Sequence, residues 1–154
     1  MNSHSARRPI TCAPSARCWR RLLPDLGNPH RNRPAGNASA GRFLDRRNSA
    51  DQPVRAVINP IIYAEVSVGY DTVEDLDDLL PADEFEREAL PFRAGFLAGK
   101  AFQRYRRDSG EKRSPMPDFY IGAHAAVAGY QLLTCDAVRY RGYFPTVKLI
   151  APMP

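Results

Sequence analysis

The chain is poor in cysteine and has no long hydrophobic run, and these absences exclude several classes of protein. Its 154 residues contain 3 cysteines, at positions 12, 18 and 135. Their odd number and spacing match neither a disulfide framework nor a zinc site, so we expect a reducing compartment and a cytoplasmic protein. No apolar stretch approaches the length of a membrane span, so we expect no membrane partner. The sequence also lacks a phosphate-binding glycine loop and the nucleophile turn of serine hydrolases.

Acidic residues are scarce in the first third of the chain. Residues 1–50 hold ten arginines but only Asp25 and Asp45, which leaves 12 basic and 15 acidic residues for the remainder. The net charge of +5 therefore belongs to the N-terminal segment and says little about a functional site. That segment has no strand or helix periodicity, and its bias toward Arg, Pro and Ala is that of a reading-frame or start-site artefact, or of a frameshift. We predict that residues 1–52 form an atypical, basic, disordered segment ahead of a domain over residues 53–154.

The remainder alternates short apolar runs with helical patterns. Strands are predicted at residues 56–58, 131–134 and 147–150, with a weak candidate at residues 88–90. Helices are predicted over residues 60–68, 72–80, 92–107 and 117–129, and Thr72 with Asp75 predicts a capping box at the start of the second. The apolar residues of the third roughly keep helical spacing (Phe92, Phe96, Leu97, Ala101 and Tyr105). The alternation predicts an α/β fold in which helices cover both faces of a parallel sheet.

Three acidic residues each follow a short apolar run and lie at the start of helical sequence or close inside it. They are Glu65, Asp118 and Asp136. If the apolar runs are parallel strands, the three carboxylates gather at the carboxyl edge of one sheet, where open α/β folds bind ligands. Carboxylates without a histidine or thiol partner suit a hard divalent cation, Mg²⁺ or Mn²⁺. The pattern therefore predicts a metal-dependent enzyme, or the damaged remains of one.

Each of these carboxylates also has a purely structural interpretation. Asp118 and Asp136 could cap helices, and Glu65 could lie at the rim of a partly exposed face. No lysine or arginine lies within one helical turn of Asp118, however, so a metal ion is a reasonable counter-charge for it. His124 is more easily read as a core residue than as a ligand. The arginines and aromatic residues at positions 139–144 could stack on bases, but more readily close the core.

From about Val57 to Pro152 the chain resembles the PIN-domain proteins of the VapC toxin type. The resemblance rests on residues 57–65, 117–125, 132–136 and 143–150. It implies a three-layer α/β/α fold with a central parallel sheet, and an endoribonuclease that depends on Mg²⁺ or Mn²⁺. It further implies RNA as the substrate, a cognate VapB-type antitoxin that holds the toxin inactive, and a possible homodimer. By this resemblance Glu65, Asp118 and Asp136 are catalytic, metal-coordinating acids.

The N-terminal region departs from that family pattern. Members open with a hydrophobic strand that lies in the middle of the sheet and ends in an aspartate that binds the metal. Asp25 falls at a plausible distance, but Pro24 cannot donate to a central strand, and Asp45 leaves no room for the helix that should follow. We therefore expect an N-terminally incomplete PIN-like domain without its usual first strand, which exposes apolar surface and favours aggregation.

Three functions are open at this point. The first is a type II toxin–antitoxin ribonuclease that hydrolyses RNA phosphodiester bonds. The second is a catalytically inactive remnant that at most binds an antitoxin-like partner. The third is a nucleic-acid binder without catalysis, whose affinity would fall steeply with salt and would be lost with residues 1–50.

Overall fold

The computed structural model describes residues 9–12, 56–108, 111–114 and 116–151. Within these ranges the chain forms the strands β1 (Ile10–Cys12), β2 (Ala56–Ile58), β3 (Phe85–Arg87), β4 (Gln131–Leu133) and β5 (Leu149–Ile150). The helices are α1 (Pro60–Ser67), α2 (Val73–Leu79), α3 (Phe92–Arg107), α4 (Pro117–Ala128) and α5 (Ala137–Tyr143). None of these described helices combines the length and the hydrophobicity needed to cross a membrane.

All five strands belong to one sheet in the order β3-β2-β1-β4-β5, and every neighbouring pair is parallel. The chain first builds outward from β1 through β2 to β3. It then returns through α3 and α4 to the other side of β1, where β4 and β5 complete the sheet. This is the order of a doubly wound α/β sheet, in which ligands bind where the winding direction reverses. The predicted α/β fold with a central parallel sheet is confirmed.

The centre of the sheet corrects one prediction. We expected the sheet to lack its first strand, but β1 lies between β2 and β4, with Thr11 opposite both Val57 and Leu132. Three residues cannot display a period, so no sequence pattern predicted this strand. Its pairing with strands on both sides defines it. Residues 1–8 and 13–55 lie outside the described residues. They include Asp25, Asp45 and the predicted boundary between the segment 1–52 and the domain.

Capping residues that are visible in the sequence mark the ends of several helices. The side chain of Asn59 accepts a hydrogen bond from the backbone N–H of Ile62 and caps α1. Thr72 caps α2 through the backbone N–H of Asp75, as its predicted capping box requires. Helix α4 ends at Gly129, whose φ of 72° is a left-handed conformation that glycine adopts without strain. The weak strand candidate at residues 88–90 is wrong, since β3 covers residues 85–87.

Helix α3 packs through a face that only partly matches its predicted apolar stripe. Its buried residues are Ala94, Ala98 and Ala101, and these lie on the side of the helix that meets α4. Phe92 and Phe96, which we grouped with the apolar stripe, are 99% and 70% exposed. Small side chains let two helices approach closely, and the rings of Phe102 and Tyr105 add contacts with Phe119 of α4.

Gly122 in α4 marks another close approach, because a Cβ atom at this position would overlap the ring of Phe144. We expect Gly122→Ala to lower the free energy of unfolding by about 1–3 kcal/mol, the usual cost of overpacking a core. Gly99→Ala is the matched control, since a Cβ there meets nothing within 4 Å. That change should raise the free energy of unfolding by about 0.5–1 kcal/mol, because alanine stabilises a helix interior relative to glycine. Urea denaturation followed by circular dichroism checks both, and equal effects would contradict the packing described.

Candidate functional site

Three acidic residues reach one edge of the sheet from different elements. Glu65 lies in α1, which begins directly after β2. Asp118 lies in the first turn of α4, and Asp136 follows β4 and caps α5. Asp118 is near enough to Glu65 to raise its pKa, and it shares an arginine with Asp136. Asp118 therefore lies near both Glu65 and Asp136.

Asp118 has two hydrogen-bonding partners, and both come from α5. The hydroxyl of Tyr140 donates to its Oδ1 at 3.0 Å, and Nη1 of Arg139 forms a short ion pair with its Oδ2. The argument that Asp118 has no nearby cation is therefore wrong. The counter-charge lies 21 residues away in sequence, and only the packing of α5 against α4 brings it into contact.

Asp136 has the structural role that its sequence position suggested. Its Oδ1 accepts a hydrogen bond of 3.2 Å from the backbone N–H of Arg139, which caps α5. Its Oδ2 lies 3.3 Å from Nε of the same arginine, so the guanidinium bridges Asp118 and Asp136. The preceding residue, Cys135, is disulfide-bonded, and the expectation that the cysteines form no disulfide is wrong for this residue.

Glu65 lacks a comparable partner. Its Oε2 is buried and accepts no hydrogen bond from the described residues. Loss of solvent around the carboxylate, followed by repulsion from Asp118, raises the pKa of Glu65 to about 7. Near neutral pH the carboxyl group is therefore divided between its neutral and ionised forms, and any nearby cation would favour the ionised one.

The groups around Asp118 keep fixed protonation states. Burial and the negative charge of Asp118 raise the pKa of Tyr140 well above its ordinary value, so its hydroxyl remains a donor. Burial acts to lower the pKa of Arg139, but Asp118 outweighs it and the pKa rises. Arg139 is therefore a permanent positive charge at this site.

The donor chemistry of the site suits a divalent cation, although its ligands are not assembled. Carboxylate oxygens are the preferred ligands of Mg²⁺ and Mn²⁺, and the buried, unpartnered Oε2 of Glu65 beside Asp118 fits such an ion. Among the described residues, however, no three His, Cys, Asp or Glu side chains are already grouped closely enough to hold one. The central strand contributes no acid, because it ends at Cys12 and residues 1–24 contain neither Asp nor Glu.

A buried polar network supports the start of α1. His124, only 1% exposed, accepts a hydrogen bond of 3.0 Å at Nδ1 from the amide of Asn59. Its Nε2 lies 3.5 Å from Glu88, whose carboxylate also accepts from the hydroxyl of Tyr130. Burial lowers the pKa of His124 despite the nearby Glu88, which keeps the imidazole neutral. His124 is thus a core residue that fixes the cap of the helix carrying Glu65.

Two residues of the site were not identified from the sequence as partners of the acids. They are Arg139 and Tyr140, which we had assigned to base stacking or core closure. Tyr140 is 2% exposed, which favours the core assignment. The spacing of three residues between Asp136 and Arg139 on a helix was the available signal, because such pairs face each other.

Comparison with solved structures supports the fold. No family model and no curated protein sequence matches the chain. Its structure is similar to the VapBC2 complex of Rickettsia felis bound to promoter DNA, with a TM-score of 0.58 and 15% identity over 92% of this chain and 98% of that chain. It is also similar to VapBC-1 of nontypeable Haemophilus influenzae, with a TM-score of 0.59 and 14% identity over 92% and 96% of the two chains. FitAB bound to a DNA fragment gives a TM-score of 0.52 and 16% identity over 93% and 94%. At these identities the likeness is one of fold alone.

The raised pKa of Glu65 predicts a pH dependence of stability in metal-free buffer. Because the carboxyl is protonated more readily in the folded protein, its contribution is fully present below the ordinary pKa of 4.5 and is lost as pH rises through about 7. We expect Glu65→Gln to raise the free energy of unfolding at pH 8 and to change it little at pH 4. Urea denaturation at both pH values measures this effect. Glu111→Gln, an exposed site, is the control, and an equal gain there would contradict the assignment.

Proposed function

We propose that this chain is the toxin component of a type II toxin–antitoxin system and a metal-dependent endoribonuclease that hydrolyses RNA phosphodiester bonds. The observation that carries the proposal is the convergence of Glu65, Asp118 and Asp136 at the carboxyl edge of the sheet, in a fold shared with VapBC toxins. That edge, beside the central strand, is where doubly wound sheets bind their ligands.

The three acids would hold Mg²⁺ or Mn²⁺, and the charge of Asp118 already acts on Glu65. When bound, such a cation activates a water nucleophile and neutralises the charge that develops on the phosphate. Other side chains of the protein position these acids. Tyr140 orients Asp118 through its Oδ1, and the Asn59 cap, held by His124, fixes the helix that presents Glu65. The buried position of Glu65 limits competition from bulk water for its oxygens.

A second candidate function is a catalytically inactive remnant that binds an antitoxin-like partner. The specific observation in its favour is the end of β1, where the family pattern has an aspartate and this chain has Cys12. The ion pairs of Arg139 with Asp118 and Asp136 also favour the inactive remnant, because a site with its own cation has less need of a metal.

Cleavage of a mixed RNA pool in Mg²⁺ or Mn²⁺ distinguishes the two functions. We expect the parent protein to cleave, and Asp118→Asn to lower the rate by about 100-fold or more, the scale on which loss of one group that stabilises transition-state charge acts. Asp83→Asn, at an exposed position in the loop before β3, is the matched control and should cleave like the parent. No cleavage by any of the folded proteins supports the remnant, and equal cleavage by all three indicates a contaminating nuclease.

The exposed face of α3 supports a protein partner. Phe92 and Phe96 lie one turn apart and expose 99% and 70% of their surface, and Lys100 packs over the Phe96 ring at 5.1 Å. Adjacent exposed aromatic rings are typical of interaction surfaces. A VapB-type antitoxin is the proposed partner of the toxin, and a second copy of the chain is the proposed occupant of this face.

We expect the protein to form a homodimer that the Phe92→Ser, Phe96→Ser double variant weakens by at least about tenfold in Kd, since buried aromatic anchors contribute most of an interface's free energy. Light scattering across a dilution series measures the effect. Val138→Ser is the control, because Val138 is 82% exposed but lies on α5. A parent protein that is monomeric at all concentrations would refute the assignment of this face.

A further inference from the structure

The guanidinium of Arg139 lies between two of the three acids proposed to hold a metal. It forms an ion pair with Oδ2 of Asp118 and lies 3.3 Å from Oδ2 of Asp136. We propose that Arg139 is an internal counter-ion that competes with a divalent cation for these two carboxylates and thereby sets the cation affinity of the site. This inference rests on the proposed metal-dependent function and concerns how that site is regulated.

The geometry leaves a cation little access to Asp118 while the arginine is in place. One carboxylate oxygen accepts from Tyr140 and the other from Arg139, so both oxygens of Asp118 are engaged. The backbone of Arg139 is itself fixed, because its N–H donates to Asp136 at the start of α5. A cation that coordinates Oδ2 of Asp118 must share this oxygen with the guanidinium, whose positive charge repels it at short range.

Burial identifies Arg139 as the partner that moves. Tyr140 is 2% exposed and belongs to the core, so withdrawing its hydroxyl would disrupt packing. The side chain of Arg139 is 42% exposed, and it can turn into solvent while the backbone of α5 stays in place. Exchanging one exposed ion pair for contacts with water also costs an arginine little free energy.

The charges of the site favour the release of Arg139 from Asp118 when a divalent cation binds. Ionised Glu65, Asp118 and Asp136 carry three negative charges and Arg139 one positive charge, and Glu65 Oε2 has no hydrogen-bonding partner among the described residues. A divalent cation between Glu65 and Asp118 would neutralise the remaining charge and repel the guanidinium at short range. Cation binding and release of Arg139 are thus coupled, and linkage requires that removing Arg139 strengthens cation binding.

Calorimetric and spin-resonance titration with Mn²⁺ alone, without RNA, tests the coupling. We expect Arg139→Gln to bind Mn²⁺ about tenfold more tightly than the parent, which corresponds to about 1.4 kcal/mol. Arg141→Gln is the matched control, because Arg141 lies on the exposed side of the same helix and the substitution removes the same charge. Its affinity should change by less than about twofold, the scale of screened long-range charge effects.

The outcomes separate this proposal from the proposed function. Equal Mn²⁺ affinity of the parent and Arg139→Gln, or weaker binding by the variant, overturns the competition while the metal site stands. Absence of Mn²⁺ binding in all three proteins overturns both. If Arg139→Gln fails to fold, the parent protein still provides the test through the Nε–H resonance of Arg139 during titration with Mg²⁺. Loss of its protection from solvent exchange, with Arg141 unchanged, supports the coupling, and retained protection at saturation refutes it.

Discussion

The pairing of β1 on both of its sides is the constraint on which the rest of the structure depends. Residues 10–12 hydrogen-bond to β2 on one side and to β4 on the other. Without them, β3-β2 and β4-β5 would be two separate pairs with unpaired edges, and short strand pairs are marginal alone. The same strand aligns the carboxyl ends of β2 and β4. Glu65, which follows β2, and Asp136, which follows β4, therefore share one edge.

The electrostatics of that edge connect stability with function. Buried or half-buried carboxylates are costly without a counter-charge, and this protein supplies one from within the fold through Arg139. The arrangement stabilises the site in the absence of any ligand, and Glu65 remains the group with unsatisfied charge. A site of this kind is formed before any ligand binds. Under the proposed competition, its affinity for a cation depends on how readily the exposed ion pair of Arg139 opens.

Much of the fold could be predicted from residues with strong local signals. The helix α3 begins and ends at the predicted residues, the capping box of Thr72 forms, and Gly129 ends α4 as expected. The predictions that failed concern features that depend on tertiary packing and not on local sequence. Three apolar residues at 10–12 show no period, and the phenylalanines of α3 fit a helical stripe as well as its alanines do. Ala101 of that stripe is buried, whereas Phe92 and Phe96 are exposed to solvent.

The sequence by itself determined the alternation of strands and helices, and hence the parallel sheet and the positions of Glu65 and Asp136 after its strands β2 and β4. These follow because strand and helix periods and the end of each apolar run are local properties. Only the tertiary structure decided which strand occupies the centre and which cation faces Asp118. Arg139 is 21 residues from Asp118 along the chain, and it reaches that carboxylate only because α5 packs beside α4. Charge pairing acts through space, so the sequence alone could not assign it.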